Sequence, residues 1–196
     1  VPSKILSIDE LGLPPVCHSI AKLKQGFVLV TGPTGSGKSS TLAAIIDEIN
    51  QTRSEHVVTV EDPVEFVFEN KKSVISQREL GGDTMSWEKA LKSVLRQDPD
   101  VVLVGEMRDL ETMQAAITTA ETGHLVLATL HTNSAAQTID RLVDSFPAGQ
   151  QSQIRSQLAG SLEVVLSQRL IPSIDGKRAV ATEVMVVTPA VKTNIR

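Results

Sequence analysis

The stretch GPTGSGKS at residues 32–39 constrains the fold of this chain more than any other feature. It matches the pattern G-x-x-x-x-G-K-[ST] in full, follows the apolar run FVLVT at 27–31, and precedes an amphipathic segment at 37–50. A strand, a glycine-rich loop and a helix in this order form a phosphate-binding loop, because the loop amides and the positive end of the helix dipole surround an anion. The sequence therefore predicts an α/β protein that binds a nucleotide here.

Individual residues of the loop have distinct expected roles in nucleotide binding. Lys38 is expected to reach the β and γ phosphates, and the Ser39 hydroxyl is expected to bind Mg²⁺. The predicted nucleotide-binding set comprises Gly32, Pro33, Thr34, Gly35, Ser36, Gly37, Lys38, Ser39 and Ser40. The chain has no N/T-K-x-D motif for reading guanine, and no arginine-rich stretch that resembles the lid of a small-molecule kinase. An ATPase is the reading that is left.

Strand and helix patterns alternate along the rest of the chain. Predicted strands lie at 27–31, 56–62, 101–105, 124–131 and 178–187, with a possible added strand at 73–77. Predicted helices lie at 37–50, 86–97, 109–121 and 134–146, and a further helix is marked by Ile154, Leu158, Leu162, Val165 and Leu166. Such alternation predicts a mostly parallel sheet that is flanked by helices on both faces.

Composition narrows the classes of partner. The net charge of −4 and the 3% aromatic content argue against a nucleic-acid partner, because a protein that binds nucleic acid needs basic patches and aromatic side chains that stack on bases. One cysteine, Cys17, excludes a disulfide or a multi-cysteine metal site within the chain. No apolar run approaches the length of a membrane span and no signal peptide is visible, so we expect a cytoplasmic protein. Residues 1–25 read as a linker segment, and 26–196 as the nucleotide-binding domain.

Acidic side chains follow two of the predicted strands. Glu61, Asp62 and Glu65 come at the end of the strand at 56–62, and Glu106 follows VVLVG at 101–105. In an open parallel sheet the carboxyl ends of the strands face the ligand. These acids are therefore candidates for orienting water or for binding the metal. Glu106 is either a displaced carboxylate of the metal site or an ordinary loop acid, and Gly105 is expected to let the backbone approach the phosphate loop closely.

His124 and His131 stand at the two ends of the predicted strand at 124–131. They are seven residues apart, so their side chains lie on opposite faces of a regular strand and cannot share one metal ion. His131, at the carboxyl end, is the candidate for contact with the phosphate region. Either histidine could instead be a structural residue with satisfied hydrogen bonds.

Four stretches together resemble one family, the motor ATPases of type II secretion and type IV pili. GPTGSGKSSTLAAIID, TVEDPVEF, RQDPDVVLVGEMRDLET and TAETGHLVLATLHTNSA resemble its Walker A motif, Asp box, Walker B motif and His box. GEMRDLET, IDRLVDSFP and SQRLIP are similar to the PilT-type pilus retraction branch. The extension and secretion branches carry a tetracysteine zinc motif, which Cys17 alone cannot supply.

The resemblance implies a RecA-like ATPase domain and assigns roles to residues. It implies that Glu65 activates water, that Glu106 is the Walker B glutamate beside Mg²⁺, and that His131 lies nearer the phosphates than His124. Arg78, Arg96 and Arg108 are possible sensors or arginines that act on a neighbouring subunit, and each is equally readable as a surface ion-pair residue.

The resemblance also implies an assembly. Family members form hexamers that work with an inner-membrane platform protein and other pilus motor components, so the expected location is cytoplasmic and peripheral to the inner membrane. An N-terminal PAS-like domain and a short C-terminal retraction motif of the family have no counterpart in these 196 residues. The expected function is Mg²⁺-dependent ATP hydrolysis that drives type IV pilus retraction. The alternatives are a RecA-like nucleic-acid translocase and a nucleotide-binding module that does not hydrolyse.

Overall fold

The computed structural model describes residues 4–174 and 176–196. The first half of the fold comprises α1 (Val16–Lys22), β1 (Gly26–Thr31), α2 (Lys38–Thr52), β2 (His56–Glu61), β3 (Val74–Glu79), α3 (Trp87–Val94) and a 3₁₀ turn at Leu95–Gln97. The second half comprises β4 (Val101–Val104), α4 (Leu110–Glu121), β5 (Leu125–Leu130), α5 (Ala135–Asp144), α6 (Ala148–Ser161), β6 (Leu162–Pro172), β7 (Arg178–Val186) and α7 (Pro189–Ile195).

These strands form one sheet in the order β3-β2-β4-β5-β1-β6-β7. Neighbouring strands are parallel except for the antiparallel pair β6 and β7. The central strands β1, β4 and β5 are buried along their whole length, because helices cover both faces of the sheet. The predicted α/β class with a mostly parallel, helix-flanked sheet is confirmed.

Two apolar clusters lie on the two faces of the sheet. One packs α1 and α2 against the sheet and includes Ile8, Leu13, Cys17 and Ile20 from the predicted linker segment. The other packs α3 to α7 against the opposite face. Within the described ranges the segment before β1 therefore belongs to the packed domain, and its further role as a linker stays a prediction.

Local signals place several helix starts. Ser86 accepts a hydrogen bond from the Lys89 amide, and Ser134 accepts one from the Gln137 amide at 3.2 Å. The Gln137 side chain in turn accepts a hydrogen bond from the amide of Asn133, so Ser134 and Gln137 form a capping box whose return contact is one residue earlier than usual. The structure also adds α7, which starts at Thr188 and Pro189 and was not predicted.

One helix prediction was wrong. The apolar residues Leu162, Val165 and Leu166 lie in strand β6, and α6 ends at Ser161. A strand that is buried on both faces has a near-continuous apolar run, and such a run also contains helical spacings. Pairing with β1 over Phe27–Thr31 settles this stretch as a strand.

No helix in the described part of the chain is long and apolar enough to span a membrane.

Candidate functional site

A cleft of about 630 Å³ opens at the carboxyl ends of β2, β4 and β5, beside the loop that joins β1 to α2. It is lined by the phosphate loop, by the segment after β2, by the segment after β4 and by the end of β5. Parallel strands bring these carboxyl ends to one edge, as the order of elements predicts. The site is therefore assembled from stretches that lie far apart in the sequence.

The phosphate loop supplies one wall of the cleft. The predicted binding residues that line it are Thr34, Gly35, Gly37, Lys38, Ser39 and Ser40. Pro33 and Ser36 line a smaller adjoining hollow of about 370 Å³, which Asn133, Arg169 and Arg178 also border. Gly32, the first residue of the loop, lines neither space.

Lys38 is folded over its own loop. Its Nζ donates hydrogen bonds to the carbonyl oxygens of Gly32 at 2.8 Å and Pro33 at 3.0 Å. Partial burial lowers the pKa of Lys38, although Glu106 and Glu65 oppose that shift by their charges. The loop thus holds a cation against its backbone at the place where an anion would bind.

Glu65 meets the first turn of α2. The Ser39 hydroxyl donates a hydrogen bond to Glu65 Oε1 at 2.6 Å. The predicted water-orienting carboxylate and the predicted metal-binding hydroxyl are therefore direct neighbours, although most of α2 and all of β2 separate them along the chain.

Glu106 contacts two nitrogen-bearing side chains, one on each carboxylate oxygen. Its Oε1 lies 2.8 Å from His131 Nε2, and its Oε2 lies 2.7 Å from Arg108 Nη2. Partial burial acts to raise the pKa of Glu106, but the hydrogen bond from Arg108 and the charges of His131 and Arg108 outweigh it, and the net pKa lies below the ordinary value. Glu106 is 22% exposed and lines the cleft, so the structure brings it to the candidate site, and its part in binding a metal stays a prediction.

The prediction for Gly105 was wrong in its target. A Cβ at Gly105 would lie 3.1 Å from the carbonyl oxygen of Val60 and 3.2 Å from the Cα of Glu61. Both neighbours belong to β2, whereas the prediction named the phosphate loop. Gly105 also donates its amide to Val60 at 2.8 Å. The glycine therefore lets β4 end tightly against β2, which brings the two acidic segments together.

Glu61 and Asp62 differ in their surroundings. Glu61 is buried and accepts a hydrogen bond from the Thr59 hydroxyl at 2.7 Å. Burial raises its pKa, against the opposing effect of the hydrogen bonds from Thr59 and Gln77. Asp62 is exposed and lies 3.8 Å from Arg108 Nη1. Arg108 thus connects the segment after β2 with Glu106 inside one chain.

Three predicted candidates lie outside the cleft. Arg78 is exposed on the edge strand β3. Arg96 lies in the 3₁₀ turn before β4, and His124 precedes β5, so both are at the amino ends of strands. His124 Nδ1 is 2.9 Å from the carbonyl oxygen of Thr119, a contact at the end of α4. Parallel strands put amino and carboxyl ends at opposite edges, so this chain does not bring Arg96 or His124 to its own site.

Residues of the β6–β7 hairpin also reach the cleft and were missed from the sequence. Leu170 and Arg178 line it, and the buried side chain of Gln168 contacts the phosphate loop from below. In the described ranges Arg178 has no acidic partner. The sequence carries no signal for these contacts, because they depend on how the hairpin packs against the phosphate loop.

Oxygen donors in the cleft suit Mg²⁺. Ser39, Glu65 and Glu106 offer a hydroxyl and two carboxylates, which are the donor types that this ion prefers. The described residues contain no group of three or more histidines, cysteines or acids arranged as a metal site. Mg²⁺ commonly binds through one or two protein oxygens together with water and substrate phosphates, and this donor set fits such binding.

The chain is similar to known proteins over its whole length. Residues 5–193 match the family described as Type II/IV secretion system protein. The chain is 55% identical over 196 residues to the "Type IV pilus retractation ATPase PilT" of Pseudomonas aeruginosa, covering 100% of this chain and 57% of that protein. It is also 55% identical over 197 residues to a "Twitching motility protein" of Neisseria gonorrhoeae, covering 100% of this chain and 53% of that one.

A solved structure agrees with the fold. A crystal structure of the pilus retraction motor PilT with bound ADP superposes with a TM-score of 0.98 at 52% identity, covering 100% of this chain and 57% of that one. The chain thus spans little more than half the length of these relatives.

Proposed function

The chain belongs to the type II/IV secretion system protein family, and we propose that it carries out Mg²⁺-dependent ATP hydrolysis as the motor domain of a type IV pilus retraction ATPase. The observation that carries this proposal is the contact between Ser39 and Glu65 in the cleft that Lys38 and Glu106 also line. A phosphate loop alone would fit many nucleotide-binding proteins. A carboxylate next to the metal-binding hydroxyl is what hydrolysis adds, since water must be oriented toward the γ phosphate.

The phosphate loop and α2 would bind the triphosphate. Loop amides and the amino end of α2 attract the phosphates, and Lys38 exchanges its loop carbonyls for phosphate oxygens. Ser39 and Glu106 would hold Mg²⁺, Glu106 through water. When bound, Mg²⁺ supplies charge neutralisation at the β and γ phosphates.

Glu65 would orient the attacking water as a general base. It is exposed in the cleft, so water reaches it. His131 and Arg108 would keep the carboxylate of Glu106 ionised and fixed, since each contacts a different oxygen of it. His131 would in addition lie near the γ phosphate, and Arg108 would act within its own chain. Arg78, Arg96 and His124 carry no part in this mechanism within one chain.

The relatives support a wider proposal. Their names concern pilus retraction and twitching motility. We extend this to a homohexamer in the full-length protein, which acts in the cytoplasm at the inner membrane with the platform protein and other pilus motor components. The acidic net charge and low aromatic content speak against the nucleic-acid translocase, and the intact set of cleft acids speaks against a module that does not hydrolyse.

The test is phosphate release by the full-length protein with ATP, with and without Mg²⁺ and with and without single-stranded DNA. We expect turnover that needs Mg²⁺ and is unchanged by DNA. The Lys38→Ala variant should lose nucleotide binding or turnover, because the charge on the β and γ phosphates is no longer neutralised. Lys72→Ala is the matched control, since Lys72 is an exposed lysine outside the cleft.

Each contrary outcome identifies another function. Stimulation by DNA would support the translocase, and tight ATP binding without turnover would support the regulatory module. Normal hydrolysis by Lys38→Ala would refute the assignment of the loop. Light scattering of the same protein should give six times the mass of one chain.

A further inference from the structure

Gln168, on strand β6, uses both ends of its side-chain amide on the phosphate loop and on α2. Its Nε2 donates a hydrogen bond to the carbonyl oxygen of Ser36 at 2.8 Å. Its Oε1 accepts a hydrogen bond from the Thr41 hydroxyl at 2.9 Å. Gln168 is 1% exposed and Thr41 is 1% exposed, so water cannot replace either contact. One buried amide therefore fastens the chain on both sides of Lys38 and Ser39.

The main chain of Gln168 also lies against the loop. A Cβ at Gly32 would collide with the carbonyl oxygen of Gln168, and a Cβ at Gly37 would lie 3.3 Å from its Nε2. The hydroxyl of Thr31, which precedes Gly32, contacts the hydroxyl of Ser167, which precedes Gln168. Three loop positions, 32, 36 and 37, thus rest on this single residue of β6.

The bond to Ser36 has a particular consequence for the loop. A loop that turns successive amides toward an anion turns carbonyl groups away from it, and a buried carbonyl needs a donor. Ser36 is buried, and its own hydroxyl has no partner in the described part of the chain. The Gln168 amide is therefore the donor that holds the Ser36 carbonyl on the side facing β6.

We infer that Gln168 is a positioning residue for the nucleotide, which sets the phosphate loop in its binding geometry from the β6 side. This inference rests on the proposed function. Lys38 and Ser39 lie between the two anchored residues, so their placement depends on both hydrogen bonds. A loop without the anchor must be ordered by the nucleotide itself, which lowers affinity.

The decisive variant is Gln168→Met, which keeps an unbranched side chain of similar size but removes both hydrogen bonds. Its Kd for ADP, measured by titration calorimetry on the full-length protein, is expected to rise roughly tenfold, as the loss of a partner for a buried carbonyl group implies. The KM for ATP should rise with it, while kcat changes less, since the anchor acts on ground state and transition state alike.

Asn50→Leu is the matched control. Asn50 is a fully buried amide on the same helix, and it also bridges backbone groups, donating to the carbonyl oxygen of Glu69 at 2.7 Å and accepting from the amide of Lys71 at 3.0 Å. It lies at the far end of α2 from the loop. Its loss should lower thermal stability and leave the Kd for ADP unchanged.

A second variant keeps the inference testable if Gln168→Met does not fold. Thr41→Val removes only the hydroxyl that fixes Gln168 Oε1, and it should raise the Kd for ADP by about two- to fivefold, since one neutral hydrogen bond is lost. Amide hydrogen exchange over 34–39 without nucleotide should be faster in Gln168→Met and in Thr41→Val, and unchanged in Asn50→Leu.

Two results would overturn the inference. One is an unchanged Kd for ADP in Gln168→Met and Thr41→Val, and the other is an equal rise of this Kd in Asn50→Leu. A wild-type protein that binds no ADP would instead refute the proposed function.

Discussion

Replacing Glu65 by glutamine separates the catalytic role of this residue from a structural one. Glu65 Oε1 accepts a hydrogen bond from Ser39 at 2.6 Å. The amide oxygen of glutamine accepts the same bond, so the Glu65→Gln variant keeps the contact between the segment after β2 and α2. What the variant loses is the negative charge and the ability to take a proton from water. We therefore expect nucleotide binding to survive and hydrolysis to fail.

The magnitude follows from the role. Loss of one positioned general base typically lowers the rate by roughly 10²–10⁴. At 1.36 kcal/mol for each factor of ten, this raises the barrier by about 3–5 kcal/mol. The KM for ATP and the Kd for ADP should stay within about twofold of wild type, because the loop, Lys38 and Ser39 are untouched.

The assay is steady-state phosphate release by the full-length protein, together with calorimetric titration of ADP. Glu69→Gln is the matched control, since Glu69 is an exposed glutamate four residues further along that does not line the cleft. A Glu65→Gln variant with kcat within about threefold of wild type would refute the reasoning. A large loss of ADP affinity would show instead that the negative charge of Glu65 contributes to nucleotide binding.

Three further predictions concern the carboxylates and one histidine. Glu106→Gln should raise the Mg²⁺ concentration needed for half-maximal hydrolysis, measured by metal titration, and an unchanged requirement would remove Glu106 from the metal site. Because burial raises the pKa of Glu61, ionising this carboxyl lowers the stability of the fold as pH rises from the ordinary carboxyl pKa to the raised one. The Glu61→Gln variant should therefore have a higher Tm than wild type at pH 7 and the same Tm near pH 4. An equal difference in Tm at both pH values would contradict this. His18 contacts Asp9 at 3.2 Å and Glu48 at 2.7 Å, and the hydrogen bonds that its ring donates to these carboxylates raise its pKa above the ordinary histidine value. The protonated form is favoured in the fold, so this tether is complete just below the ordinary histidine pKa and weakens as pH rises through the raised pKa. Hydrogen-exchange protection over 4–13, corrected for the intrinsic rise of exchange with pH, should fall there in wild type and should show no such step in His18→Gln.

Local patterns were sufficient for most of the fold. The phosphate loop was predicted from its residues because glycines, lysine and serine at fixed spacing have one common structural use. Helices beginning at 86 and 134 were predicted from local patterns, and in the structure Ser86 and Ser134 each accept a capping hydrogen bond from an amide three residues further along. The stretch at Leu162–Leu166 was misread because both a buried strand and a helix satisfy its spacing, and only pairing with β1 decides between them.

The candidate site divides in the same way. Alternating strands and helices imply that the carboxyl ends of parallel strands share one edge, so the sequence by itself determined that Glu65, Glu106 and His131 lie near the loop. The sequence does not determine which atoms of these residues contact each other. The pairs Ser39–Glu65, Thr41–Gln168 and Ser36–Gln168 join residues 26, 127 and 132 positions apart. Contacts of this kind leave no periodicity or spacing in a single sequence, because they depend on how sheet and helices pack. Only the tertiary structure therefore decided that Gln168 holds the phosphate loop, and that Arg96 and His124 lie at the opposite edge of the sheet.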